Sequence, residues 1–222
     1  MPLANGKPST PLRSVLVVLL ILSAYANSFA GNPDPSPSRH RPRDLPGPIR
    51  PVLQMEGHTC GLHSIQAIYA AYRLPVHEFD LRDRLGTDVA AFPFFDSTTG
   101  TIHPDIYRVL DQDGFAYRDA NVSSESGRDD LLYHFYEGHY ALTLIRRKET
   151  KTLHWVVLFG RQGKNYLVAD SIGARIYLED EAFLKNNVVS TVLIKPIGEG
   201  AFFGRFGAYC SGVVEGVLSL IR

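Results

Sequence analysis

The sequence predicts an α+β domain, with helices in its first half packed on an antiparallel sheet in its second. Two observations carry this. From Cys60 to Tyr136 the apolar residues recur at helical spacing, in segments closed by Gly or Pro. From Tyr140 to Ile194 the period changes to short, β-rich runs punctuated by Gly, Asn, Lys and Asp. Helices followed by a run of strands are the α+β pattern. A chain of 222 residues that is 45% apolar has material for one real core plus appendages.

Residues 1–30 read as a signal peptide or N-terminal anchor. Lys7 and Arg13 precede the apolar run Val15–Leu22, and small residues follow at 28 and 30. The run is shorter than the ~20 apolar residues of a membrane span. Membrane association through residues 14–26 is the expectation if the segment stays uncleaved, and otherwise the protein is expected to be exported. Residues 31–51 hold half of the chain's 14 prolines and read as a stiff linker. The globular domain is expected over 52–198.

Within it, Leu62, Ile65, Ile68, Tyr69, Ala71 and Tyr72 set a first helix over Cys60–Arg73, ended by Pro75. A second helix is expected over Val76–Leu85, stopped by Gly86. Ala90–Gly100 is a loop, and its Phe92, Phe94 and Phe95 suggest packing, with a substrate-groove wall as the alternative. Pro104–Gln112 fits a helix with Pro near its start and Gly114 past its end. Phe115–Tyr117 fits a short strand. Ser126–Tyr136 fits a helix stopped by Gly138, with His134 and His139 flanking the stop as surface groups. Strands follow at Tyr140–Arg146, Leu153–Gly160, Tyr166–Asp170, Arg175–Leu178 and Val188–Ile194, with a helical turn or two at Glu179–Lys185 before the last. Residues 199–222 form a glycine-rich apolar tail, interrupted by Arg205 and Glu215, that is expected to dock on the domain.

Lys plus Arg equals Asp plus Glu, so bulk charge points to no nucleic-acid partner. Two cysteines, Cys60 and Cys210, exclude a disulfide scaffold. A single disulfide between them is the plain alternative to a reactive Cys60. His58, Cys60 and His63 are too few for a metal centre, because no second cluster at ligand spacing completes them. No cofactor is expected. Asn121-Val122-Ser123 is a glycosylation sequon that matters only in a eukaryotic secretory pathway.

The chemistry gathers at four positions. Cys60 stands where the first helix starts, and a helix N-terminus favours a thiolate. Gln54 precedes it by a loop of five residues that lets the chain fold back. Its side-chain amide and the Cys60 N–H are then candidate donors to an oxyanion. His154 sits in the apolar strand Leu153–Phe159; taken alone it is as well read as a core histidine satisfied by a carbonyl. Asp170, alone, is as well read as a strand-end cap. Their order and spacing lift them: on adjacent strands of one hairpin they can be neighbours, with the carboxylate fixing the imidazole's tautomer.

The segment Gln54–Ile65, with His154-Trp155-Val156-Val157 and Val168-Ala169-Asp170, resembles the bacteriocin-processing, or double-glycine, cysteine peptidases. Leu81–Asp88 and the helix before Gly114-Phe115 also run like that family, and the resemblance covers about residues 52–196. It implies a papain-like cysteine proteinase fold and hydrolysis of a peptide or amide bond in a peptide or protein substrate. By residue it implies Cys60 as nucleophile, His154 as base, Asp170 as orienter and Gln54 as oxyanion donor. Thr59 stands where the family often has Asp, and Ser171 where it often has Pro. No phosphate-binding Gly-Lys-Ser/Thr loop is present, so no fused transporter ATPase is expected. That family trims leader peptides on the cytoplasmic side, whereas this chain reads as exported. Two other functions fit the same residues: acyl or γ-glutamyl transfer, as in phytochelatin-synthase-like enzymes, and a silent binding module on a papain-like scaffold.

Overall fold

A computed structural model of the chain describes Pro42 and residues 45–89 and 100–197. These belong to a compact unit, Arg39–Arg222. The expected signal segment, most of the linker, the aromatic loop with Phe92, Phe94 and Phe95, and the tail with Cys210 lie outside the described residues. Among the described residues no helix is long and apolar enough to cross a membrane.

Helix α1 runs Cys60–Ala71 and is buried on nearly every side, with Leu62, Ile65 and Ile68 fully enclosed. It stops earlier than Pro75 would require. Arg73 takes a left-handed backbone at φ 55, and the Leu74 N–H returns to the Tyr69 carbonyl at 2.9 Å. That 6→1 bond is a Schellman closure, and Pro75 merely follows it. Helix α2 is Glu78–Arg84, shorter than expected because the His77 side chain accepts from the Phe79 N–H and caps it. Helix α3 is His103–Gln112, with Pro104 in its first turn.

Strand β1, Phe115–Asp119, precedes α4, Glu125–Tyr136, which Ser124 caps by accepting from the Gly127 N–H at 3.1 Å. Then come β2 Tyr140–Arg146, β3 Leu153–Gln162, β4 Asn165–Asp170 and β5 Arg175–Glu179. Helix α5, Glu181–Asn187, is capped by Asp180 and leads into β6, Val188–Pro196. The strands form one sheet in the order β1-β6-β2-β3-β4-β5, antiparallel throughout.

Helices cover both faces of this sheet. One core joins α1, α2 and α3 to Trp155, Val157, Ala169, Val192 and Ile194. The other joins Leu131 of α4 and Phe183 and Leu184 of α5 to Val156, Leu158, Val168 and Leu193. Strands buried on both faces read as continuous apolar runs, which is the pattern of β2, interior along all but its last residue.

Two expectations change. Residues 47–51 are not a tether: Ile49 is part of the first core, and the Gly47 N–H donates to the Ala71 carbonyl at 2.7 Å. The prolines around Ile49 fix an extended backbone that lays it on the domain. His134 is not a surface group. It is buried, and its Nε2 lies 3.0 Å from the Tyr140 carbonyl and 3.1 Å from that of Ile194. Burial, ahead of these bonds, pulls its pKa down to about 4, so the ring is a neutral donor tying α4 to the sheet.

Candidate active site

The site forms where two strands stop pairing. The β3–β4 ladder extends from Gln162/Asn165 only to Val157/Ala169, short of His154. Beyond it the freed carbonyls find partners on the segment carrying Cys60. The Trp155 carbonyl accepts from the Ser64 hydroxyl of α1 at 3.1 Å. The Ser171 carbonyl accepts from the Gln54 N–H at 3.0 Å. Residues 54–64 therefore meet the parted ends of β3 and β4, which brings together four positions far apart in sequence.

Cys60 is the first residue of α1, buried and a free thiol. Thr59, at the N-cap, makes no side-chain cap. Its hydroxyl donates instead to the Glu56 carbonyl at 2.9 Å. No acidic residue lies in the first turn. The opening N–H groups of α1, which have no intrahelical partner, are thus left to an anion. The next residue must be glycine: a Cβ at Gly61 would lie 2.5 Å from Thr101 Cβ and 3.0 Å from Trp155 Cδ1. Trp155 is pinned by its Nε1 donating to the Thr101 carbonyl at 2.9 Å.

His154 is buried, and its Nε2 lies 2.7 Å from Asp170 Oδ1. The Cys60 side chain also interacts with this imidazole. With Nε2 engaged by Asp170, Nδ1 is the nitrogen left for sulfur. Burial works against a charged ring, but the bond to Asp170 and the bond and charge of Cys60 outweigh it and raise the pKa to about 9. Asp170, also buried, is opposed by burial too. The His154 bond, the Ile172 N–H at 2.8 Å and Arg175 Nη2 at 3.3 Å overcome that and hold its carboxyl below the ordinary range. The arrangement places an imidazole, its charged form favoured, between the Cys60 sulfur and a carboxylate.

Gln54 sits at the same mouth. Its Nε2 donates to the Glu56 carbonyl at 3.1 Å, and its Oε1 accepts from the Ser171 hydroxyl at 2.6 Å. Ser171 is the partner that sequence reading missed. The signal was there, as a departure from the resembled family's Pro, but nothing in the sequence says that position 171 reaches position 54.

The three metal candidates do not converge. His58 Nε2 pairs with Asp88 at 2.8 Å, Cys60 meets His154, and His63 Nδ1 bonds the Thr59 carbonyl at 2.9 Å. Glu56, His58 and Asp88 do bring ligand atoms within 4.8 Å of one another. Arg82 already engages both carboxylates of this group, donating to Asp88 at 2.6 Å and to Glu56. Bonds from Arg82 and then His58 hold Asp88 well below the ordinary carboxylate range. These four side chains form a charged rim beside the Cys60 loop.

A profile described as the peptidase C39 family matches residues 49–196. Among solved structures, the chain is similar to a double glycine motif protease from an AMS/PCAT transporter, solved in complex with a leader peptide. That likeness has 15% identity and a TM-score of 0.51, and covers 71% of this chain and 99% of the other. It is similar also to the peptidase domain of Streptococcus ComA, a bifunctional ABC transporter involved in a quorum-sensing pathway. There the identity is 16% and the TM-score 0.51, over 67% of this chain and 98% of that one. At these identities the likeness speaks to fold, which is the papain-like one expected. No match was found among curated proteins.

Proposed function

The chain belongs to the peptidase C39 family and is a cysteine peptidase, and on that premise we propose that Cys60, His154, Asp170 and Gln54 carry the reaction. The observation that supports this reading is one buried imidazole meeting both Cys60 and Asp170. The Cys60 thiolate attacks the scissile carbonyl carbon, forming a C–S bond as the carbonyl electron pair moves to oxygen. The oxyanion is received by the Cys60 N–H and the Gln54 amide. Collapse expels the amine, which takes a proton from His154, and leaves a thioester on Cys60. Water, deprotonated by His154, then releases the acid and restores the thiol. Asp170 keeps the ring oriented through Nε2 throughout.

For substrate we propose a peptide cleaved after small residues such as paired glycines. The support is the similarity to a double glycine motif protease solved in complex with a leader peptide. We propose further that the protein acts outside the cytoplasm. Here the support is the charged, apolar and small-residue order of residues 1–30, and N-terminal sequencing of the mature protein from fractionated cells tests it. A chain recovered from the cytoplasm with Met1 intact would refute export.

The catalytic reading is tested by iodoacetamide alkylation read by mass spectrometry at Cys60 and Cys210. An ordinary thiol, with a pKa of about 8.5, barely reacts at pH 6. Cys60 is expected to react fast there, and to lose this in His154→Ala. Reaction no faster than at Cys210 would sink the assignment.

A further inference from the structure

The turn that ends β4 does two jobs at once. Asp170, its first residue, faces His154. Ser171, its second, faces Gln54 through both backbone and side chain. The Ser171 carbonyl receives the Gln54 N–H at 3.0 Å, and the Ser171 hydroxyl lies 2.6 Å from Gln54 Oε1. Ser171 is only 3% exposed, so its hydroxyl is shielded from bulk solvent. The turn is itself held, by the Ile172 N–H on Asp170 Oδ1 and the Ala174 N–H on the Ser171 carbonyl at 3.3 Å.

A glutamine amide has one accepting end and one donating end, and only its partners decide which way round it lies. The Glu56 carbonyl can only accept, so it fixes the NH2 end of Gln54. The Ser171 hydroxyl must then be the donor to Oε1. With both ends engaged the amide plane cannot turn over. One N–H is used on Glu56, and the second is the donor available to an oxyanion. Without the hydroxyl, Oε1 is orphaned in a part-buried site, and a flipped amide would present an acceptor where a donor is needed.

We propose that Ser171 is a positioning residue for the reaction: its hydroxyl locks the Gln54 amide in the orientation that the Glu56 carbonyl selects, so that one short turn aligns both the imidazole and the oxyanion donor. The inference rests on the role proposed above for Gln54. It adds a residue that touches neither substrate nor thiol.

The test separates oxyanion binding from thiolate formation. The probe for the first is a peptide aldehyde, acetyl-glycyl-glycinal. Cys60 sulfur adds to its carbonyl carbon, the π pair moves to oxygen, and the resulting hemithioacetal oxygen occupies the oxyanion position. The probe for the second is iodoacetamide, whose displacement of iodide forms no oxyanion. In Ser171→Ala the backbone bond from Gln54 to position 171 remains. Aldehyde affinity is expected to fall about tenfold, the equivalent of one lost alignment, with the pH profile of Cys60 alkylation unchanged. Gln54→Ala is expected to lose about 10²-fold, as for removal of an oxyanion donor. Adding Ser171→Ala to Gln54→Ala is expected to cost nothing more.

Wild-type affinity in Ser171→Ala overturns the proposal, as does an equal loss on top of Gln54→Ala. Parallel loss of alkylation in Ser171→Ala also overturns it, because the residue would then merely hold the turn under Asp170. If Gln54→Ala binds the aldehyde as the parent does, the oxyanion role of Gln54 falls and this inference falls with it. Failure of the whole catalytic reading shows instead in His154→Ala, by alkylation alone.

Discussion

At the scale of single residues, His154 and Asp170 tie stability to pH in opposite directions. His154 has an ordinary value of 6.5 and is raised to about 9 in the fold. Its contribution is therefore complete below 6.5 and lost as pH climbs through about 9. A shift of this size corresponds to roughly 3 kcal/mol. Asp170 is lowered from 3.8, so its contribution is present above that value and lost as pH falls below it. Urea unfolding at pH 6.5 and pH 10 should show the parent losing more stability than His154→Ala over the same interval, and an equal loss in both would remove the ion pair from the account. Asp170→Asn keeps a hydrogen-bond acceptor but removes the charge that favours imidazolium. Peptidase activity should fall between about 10- and 10⁴-fold, and the alkylation profile of Cys60 should move toward that of an ordinary thiol. An unchanged profile would mean that Asp170 does not set the charge on the ring.

At the scale of elements, the first helix is held to the sheet at its N-terminus by contacts with no slack. Gly61→Ala would push a Cβ into Thr101 and Trp155. Either α1 slides along the sheet or Trp155 gives way, at a cost of about 1–3 kcal/mol. The expected result is a lower melting temperature together with a loss of activity larger than the stability change explains, because Cys60 moves with the helix. A fully active variant would show that the clash relaxes elsewhere. Much of this level was legible in the sequence. The 3.6-residue spacing of Leu62, Ile65 and Tyr69 marks α1, and β2 keeps the ends read from its apolar run. Less was legible where a local bond decides: Arg73 in a left-handed conformation and His77 as a cap are set by neighbours that composition does not display. The inward face of α4 was missed at His134 because a lone histidine carries no period. At the site, chain order pointed to Cys60, His154 and Asp170, since hairpin neighbours follow from spacing. The bond from Ser171 to Gln54 joins residues 117 apart and leaves no trace in either segment.

At the scale of the whole molecule, the domain starts earlier than its composition suggests. Ile49 is 5% exposed, and the Tyr140 hydroxyl donates to the Gly47 carbonyl at 2.5 Å. A chain beginning at residue 52 loses both, whereas one beginning at residue 45 keeps them. Burying an isoleucine contributes about 1.5–3 kcal/mol, and each kcal/mol moves the midpoint of a domain this size by about 2–4 °C. The shorter chain should melt roughly 5–10 °C lower. Equal melting would show that residues 45–51 rest on the domain without stabilising it.

The position of β6 has a consequence in time. Among the described residues the last strand in sequence is an inner strand of the sheet, between β1 and β2. While the chain is being synthesised, β1 has no partner and β2 presents an open edge until residues 188–196 have emerged. Pairing between Phe115 and Pro196 must close a long loop, and contacts of that kind form late. The nascent chain therefore stays without its complete sheet until residues 188–196 have emerged, and the groups at Cys60, His154 and Asp170 are joined across a frame that β6 locks. Such a chain is open to carriers that bind unfolded polypeptide, and equally to aggregation through the uncovered edge of β2.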